Sequence, residues 1–233
     1  MVPRNREHAE QNQLPRFSGR PVDQAYVDEL HRNLTPELRR YWHERLLTDD
    51  TINTWKLGYG TFNGTGWLTI PILDDQGAPI FLKLKRPPGA PESQPKGLTY
   101  PAGSKPCLYP MPNLGPRARE IVLCEGEPDT LLLMTHGILA VTSTHGAGTF
   151  EESWLNLFPM RCNVILCFDA DEAGRRAFKR LHELFGTRRP DIRLATVNFP
   201  QEMIEEGGKD VTDFFLYFRK KNPALPSSDT PNA

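Results

Sequence analysis

The sequence predicts an α/β protein: a parallel sheet with helices on both faces, preceded by a smaller α+β region. Three observations predict it. From residue 121 onward, short continuous apolar runs alternate with helical patterns, as expected of parallel strands buried on both faces. Residues 66–85 instead read as two strands around one turn. Between 71 and 116 lie eleven of the 22 prolines and no long apolar run, which predicts an irregular, extended arm.

Taken in order, residues 1–20 are polar and aperiodic and read as a disordered leader. A helix is expected over 22–32. Thr35 is an N-cap with Pro36 at the first helical position, opening a helix through Leu38, Tyr41 and Trp42 to Leu47. Asp49 and Asp50 offer an N-cap for a short helix that Gly58 stops. Strands 66–73 and 79–85 flank the turn Asp74-Asp75-Gln76-Gly77, and the period of two puts Lys83 and Lys85 on one face. A short β piece follows at 107–111. The alternation then runs strand 121–124, helix 130–136, strand 138–142, helix 151–158, strand 163–168, helix 172–185, strand 192–197 and helix 211–221. The expected divisions are a leader (1–20), a helical and β region carrying a basic arm (21–118), the α/β domain (119–221) and a disordered tail (222–233).

Hydrophobic residues make up 38% and charged residues 24% of the 233, a balance that buries a core without disulfides. No apolar run approaches the roughly 18 residues of a membrane span. The N-terminus lacks the apolar segment of a signal peptide, so the cytoplasm is the expected location. Cys107, Cys124, Cys162 and Cys167 form no CxxC pair, which excludes a zinc-ribbon pattern. Cys124 and Cys167 sit in apolar runs, as core fillers do.

The net charge of -1 conceals a split. Residues 83–119 contain seven Lys/Arg and one acid, whereas 121–215 contain fifteen Asp/Glu and nine Lys/Arg. A basic stretch that holds a polyanion could precede an acidic one that holds cations; a solvated charged surface is the competing reading.

In an open parallel sheet, functional side chains gather beyond the carboxyl ends of the strands. Those ends are acidic here. The first strand runs into Glu125-Gly126, with Asp129 a turn later; the third runs into Asp169-Ala170-Asp171-Glu172-Ala173-Gly174. Three close carboxylates repel unless a cation sits between them, and Mg²⁺ or Mn²⁺ suits all-oxygen donors that share the ion with phosphates. Asp210 or Asp213 could support a second ion, although Asp213 is equally suited to a helix start. His145, in the Gly-bearing turn 144–148, is expected to be a loop histidine without a ligand role, because Mg²⁺ disfavours imidazole.

The series Glu-Gly-x-x-Asp, Gly-bearing turn, Asp-x-Asp-x-x-Gly-Arg and Lys-Asp over about 121–215 resembles the TOPRIM domain of DnaG-type bacterial and phage primases. Residues 54–109 resemble, less specifically, the N-terminal part of that family's catalytic core. The resemblance implies a Rossmann-like TOPRIM fold and a primase-like nucleotidyltransferase making short primers on single-stranded DNA from nucleoside triphosphates, in replication of a phage, plasmid or mobile element. It implies Glu125, Asp169 and Asp171 as catalytic metal ligands, supported by Asp129 and Asp210. Template or triphosphate would be held by Lys83, Arg86, Lys96, Lys105 and Lys209. Implied partners are a replicative helicase and a separate zinc-binding module, with no membrane. Two alternatives stay open: a TOPRIM nuclease using the same acids, and a non-catalytic single-strand DNA-binding accessory. Trp55, Tyr59, Trp67 and Tyr100 are candidates for base stacking, with core packing the commoner role.

Overall fold

A computed structural model describes residues 21–110, 114 and 118–223. The expected leader, most of the expected tail and Arg117 of the basic stretch lie outside the described residues.

The chain opens with three helices, α1 (Gln24–Arg32), α2 (Pro36–His43) and α3 (Asp49–Thr54). Each starts at a side-chain cap, since Asp23, Thr35 and Thr48 accept from Tyr26, Leu38 and Thr51 backbone N–H groups. The cap of α3 is therefore Thr48; Asp49 and Asp50 occupy the first turn, where the helix dipole favours acids.

A four-stranded antiparallel sheet follows, ordered β1 (Gly58–Phe62), β2 (Thr65–Leu73), β3 (Pro79–Lys85), β4 (Gly97–Tyr100). The central hairpin falls where expected. Gly58 does more than stop a helix: it starts β1, and a Cβ there would collide with the Leu30 carbonyl of α1 and the Thr69 hydroxyl. Alternation sorts the side chains. Trp67, Leu82 and Leu84 pack on Val27 and Leu30 of α1, while Phe81, Lys83 and Lys85 face the other way.

The second sheet is ordered β5 (Leu108–Tyr109), β7 (Ala140–Ser143), β6 (Glu120–Cys124), β8 (Asn163–Cys167), β9 (Arg193–Thr196). β7, β6, β8 and β9 are parallel; β5, from the Pro-rich arm, adds an antiparallel edge. Helices α4 (Glu127–Thr135) and α7 (Val211–Lys221) lie on one face and α5 (Glu172–Arg188) on the other. The expected helix at 151–158 is a 3₁₀ segment over Glu152–Leu157, and a short helix α6 (Gln201–Glu205) precedes α7.

The two halves share one core. Trp42, Ile52, Leu57, Ile70 and Phe81 pack with Leu131, Leu132, Ala140 and Val211 in a single buried cluster. Burial of that size, at about 25 cal/mol per Å² of apolar surface, holds the lysine-bearing strand β3 against the second sheet. Trp67 and Tyr100 are also buried, and Trp55 packs against the shared core. Tyr59, which is not buried, borders an open cleft. Among the described residues no helix is long and apolar enough to cross a membrane.

Candidate acidic site

The acids converge because parallel strands deliver their carboxyl ends to one edge of the sheet. β6 ends at Cys124, and Glu125 follows in the connection to α4. Its neighbour β8 pairs in register, Cys124 opposite Cys167, so Asp169 emerges beside Glu125. The Asp169 backbone N–H donates to Glu125 Oε2 at 3.3 Å. Asp171 is the N-cap of α5 and accepts from the Gly174 N–H at 3.0 Å. Gly174 is required: a Cβ there would run into the Asp169 carbonyl. The Asp-x-Asp-x-x-Gly spacing thus folds the loop tightly enough to point both aspartates outward from one strand end.

Lys209 and Asp210 complete the site from the last loop. The Ala170 N–H donates to the Lys209 carbonyl at 2.8 Å, stitching that loop to the Asp169 turn. Asp210 caps α7 by accepting from Asp213 N–H at 2.9 Å, and Asp213 accepts from Lys209 N–H at 2.8 Å. Asp213 thus ties the residue before the cap back to the first turn of α7, which assigns it to the helix start. The Lys209 ammonium donates to Asp169 Oδ2 at 2.6 Å and lies 3.7 Å from Asp171 Oδ2.

Protonation follows crowding. Burial, then the Asp169 charge, raises Glu125 above the usual carboxylate range. Burial and the charges of Asp210 and Asp169 push Asp129 up to about 8. Asp210 is also raised, by burial first. Asp171 is lowered, chiefly by the Gly174 N–H, and Lys209 is raised by its bond to Asp169. Such strained carboxylates mark a site that gains from added positive charge. Among the described residues no three acids stand at metal-ligating spacing; the Lys209 ammonium occupies the gap between Asp169 and Asp171. The donor set, carboxylate oxygens only, fits Mg²⁺ or Mn²⁺.

The basic residues divide by environment. Lys83 turns inward: its ammonium donates to the Thr144 carbonyl and lies 3.5 Å from Oε1 of buried Glu127. Lys85, on the same face, acts electrostatically on Asp129. Arg86 Nη1 donates to the carbonyls of Glu92 and Gln94, each at 3.0 Å, and braces the Pro-rich loop. Lys96 and Lys105 are exposed. His145 packs against Phe81, and burial lowers its pKa.

Sequence reasoning passed over Glu127 and Lys85. The shared face of Lys83 and Lys85 was the available signal. Its acidic counterpart, Glu127 two residues beyond Glu125, becomes apparent only when β3 is seen to pack over the start of α4.

Residues 122–215 match the family model described as Toprim-like, and this stretch of the chain is a Toprim-like domain. The DNA primase of Pseudomonas putida is 33% identical over 97 residues, covering 39% of this chain and 15% of that protein. The chain therefore spans a small part of the curated relatives it matches. In fold it is similar to the zinc-binding and RNA polymerase domains of Aquifex aeolicus primase, with TM-score 0.62, 19% identity, 85% of this chain and 58% of that chain covered. The RNA polymerase domain of Mycobacterium tuberculosis primase DnaG gives 0.61, 17% identity and coverage of 88% and 79%. The fold is that of DnaG-type primase catalytic cores.

Proposed function

We propose that this chain, a Toprim-like domain joined through a shared core to a lysine-bearing antiparallel sheet, is a primase-like nucleotidyltransferase that extends short primers on single-stranded DNA. One observation carries the reading: Glu125, Asp129, Asp169, Asp171 and Asp210 gather at the carboxyl edge of the parallel sheet close enough to shift one another's protonation, with Lys209 between Asp169 and Asp171 and Lys85 of β3 acting on Asp129. In the joining reaction a 3′-hydroxyl attacks the α-phosphorus of a nucleoside triphosphate, the bond to the pyrophosphate oxygen breaks, and the hydroxyl proton leaves to a base or water. Bound Mg²⁺ or Mn²⁺ would supply charge neutralisation on the attacking and leaving oxygens.

The chain's own groups have separable tasks. Glu125, Asp169 and Asp171 supply the oxygen donors, with Asp129 and Asp210 behind them. Lys209 holds Asp169 and Asp171 together until a substrate arrives and can then turn to a triphosphate. Lys96 and Lys105 offer charge to phosphates without reading sequence, and Arg86 keeps the loop that leads into Lys96 in shape. Lys83 contributes by holding the Glu127 turn. A cytoplasmic replication setting, with a helicase and a separate zinc-binding module as partners, belongs to the same reading.

Labelled nucleoside triphosphates, single-stranded DNA and the protein, with and without Mg²⁺ or Mn²⁺, test it. Metal-dependent incorporation into short products is expected. Metal-dependent cleavage of the template without incorporation would replace the primase by a nuclease.

A further inference from the structure

The turn that leads into β8 is braced from within, yet it holds an apolar side chain out in water. Residues 158–161 connect the 3₁₀ segment to the amino end of β8, at the edge of the parallel sheet opposite the acids. One guanidinium fixes the turn: Arg189 donates to the carbonyls of Leu155, Phe158 (3.1 Å) and Pro159 (3.2 Å). The same side chain donates to both carboxylate oxygens of Asp191, at 2.8 and 3.0 Å, and Asp191 accepts from the Arg161 N–H at 3.1 Å. So held, Arg161 has a φ of 57°, a left-handed conformation that non-glycine residues keep only where their surroundings impose it. At the tip stands Met160, 75% exposed, the most exposed large apolar side chain among the described residues; Leu157, 41% exposed, precedes it.

Three arginines share this edge. Arg119, Arg161 and Arg193 are exposed and make no ion pair among the described residues. Backbone bonds bring them together: the Arg119 carbonyl accepts from the Asn163 N–H at 2.8 Å, and the Arg193 N–H donates to the Cys162 carbonyl at 3.1 Å. Arg119 and Arg193 therefore flank the strand start that Arg161 precedes. Glu120 is exposed on the same edge, and the three cations outweigh it.

We infer that this amino edge is a docking surface for an acidic segment of a partner protein, one in which carboxylates flank an apolar side chain. Met160 and Leu157 take the apolar side chain; Arg119, Arg161 and Arg193 take the carboxylates. Methionine and arginine are residue types that protein interfaces favour, and a turn already braced loses little freedom on binding. Charge complementarity selects the occupant. Nucleic-acid phosphates would satisfy the arginines but leave Met160 and Leu157 in water, whereas a purely apolar partner would bury the arginines unpaired. The five residues of β8 set this edge about 16 Å from the acidic one, at roughly 3.3 Å per residue. A partner docked here leaves the acidic site open, and its binding is readable without turnover.

A random-peptide library displayed on phage and selected on the immobilised full chain supplies the probe, and fluorescence anisotropy of the enriched peptide measures its affinity. Enrichment should favour Asp and Glu beside Leu, Phe or Trp. Met160→Ser, which alters an exposed side chain, should weaken the enriched peptide at least about tenfold, the scale of an interface hot spot. Arg161→Gly suits the positive φ while removing the guanidinium; it should weaken the peptide and flatten the salt dependence of its binding. An oligothymidylate should bind wild type and both variants alike. Selection that enriches no sequence, or only peptides without acidic bias, overturns the docking surface, as does an enriched peptide that binds both variants as tightly as wild type. A loss of oligothymidylate affinity equal to the loss of peptide affinity also overturns it, and assigns the arginines to nucleic acid.

Discussion

Burial at the acidic site tells most on Asp129. An ordinary aspartate loses its proton near 3.8, whereas Asp129 in the folded protein keeps it to about 8. Between those values the native state holds more protons than the unfolded chain, so stability falls as pH rises through the window. Asp129→Asn removes that penalty. In chelator-containing buffer the variant's Tm should exceed the wild type's by an amount that grows from pH 5 to pH 8; a gap independent of pH would refute the assignment. Gly174→Ala should do the opposite. The added methyl meets the Asp169 carbonyl, and overpacking of this kind costs about 1–3 kcal/mol, read as a lower denaturant midpoint. Lys83→Met leaves the Glu127 carboxylate buried without its cation and should cost about 3–5 kcal/mol, whereas pairing it with Glu127→Leu should recover much of the loss. Equal losses in single and double variants would mean that the ion pair is not the coupling between the halves.

At the scale of elements, Lys96 and Lys105 stand on the exposed side of the arm while Arg86 is spent inside it. Replacing both lysines with Ala should flatten the salt dependence of single-stranded DNA binding by about 1.4 in log–log slope, at roughly 0.7 per contact. An unchanged slope would put the nucleic acid elsewhere. The same elements show what was legible in the sequence. The β2–β3 hairpin, β6, β8, α5 and α7 carry strong periodicity and turn or cap residues, and they fall where the pattern put them. β1 and β4 were missed because GYGT and GLTY are too short and glycine-rich to signal a strand; they form because β2 and β3 provide a template on either side. β5 is two residues between prolines, and its Tyr109 pairs with Thr142 and its Leu108 with Ser143 of β7, far along the chain, which no local pattern encodes. The 3₁₀ segment Glu152–Leu157 kept its apolar side but not its helical form, since Arg180 and Arg189 take up backbone carbonyls around it.

For the whole molecule, the acidic loops were legible because strand ends and Asp/Glu spacing are local properties. What faces them was not, because the shared core that brings β3 over α4 is made by residues far apart in the chain. The assembled site collects negative charge that the fold only partly offsets with Lys209. A divalent cation that binds the native cluster and not the unfolded chain should therefore raise Tm by mass action. Changing Glu125, Asp169 and Asp171 together to Ala should abolish that rise; identical responses to Mn²⁺ in wild type and triple variant would show that the acids do not hold the metal. Asp169→Asn removes a charged donor from the acidic site at nearly constant shape and so isolates what the carboxylate does. With Mg²⁺, triphosphates and single-stranded DNA, labelled-nucleotide joining seen in wild type should disappear while template affinity stays within about twofold, since phosphate contacts set that affinity. Joining that survives in Asp169→Asn would contradict Asp169 as a metal ligand.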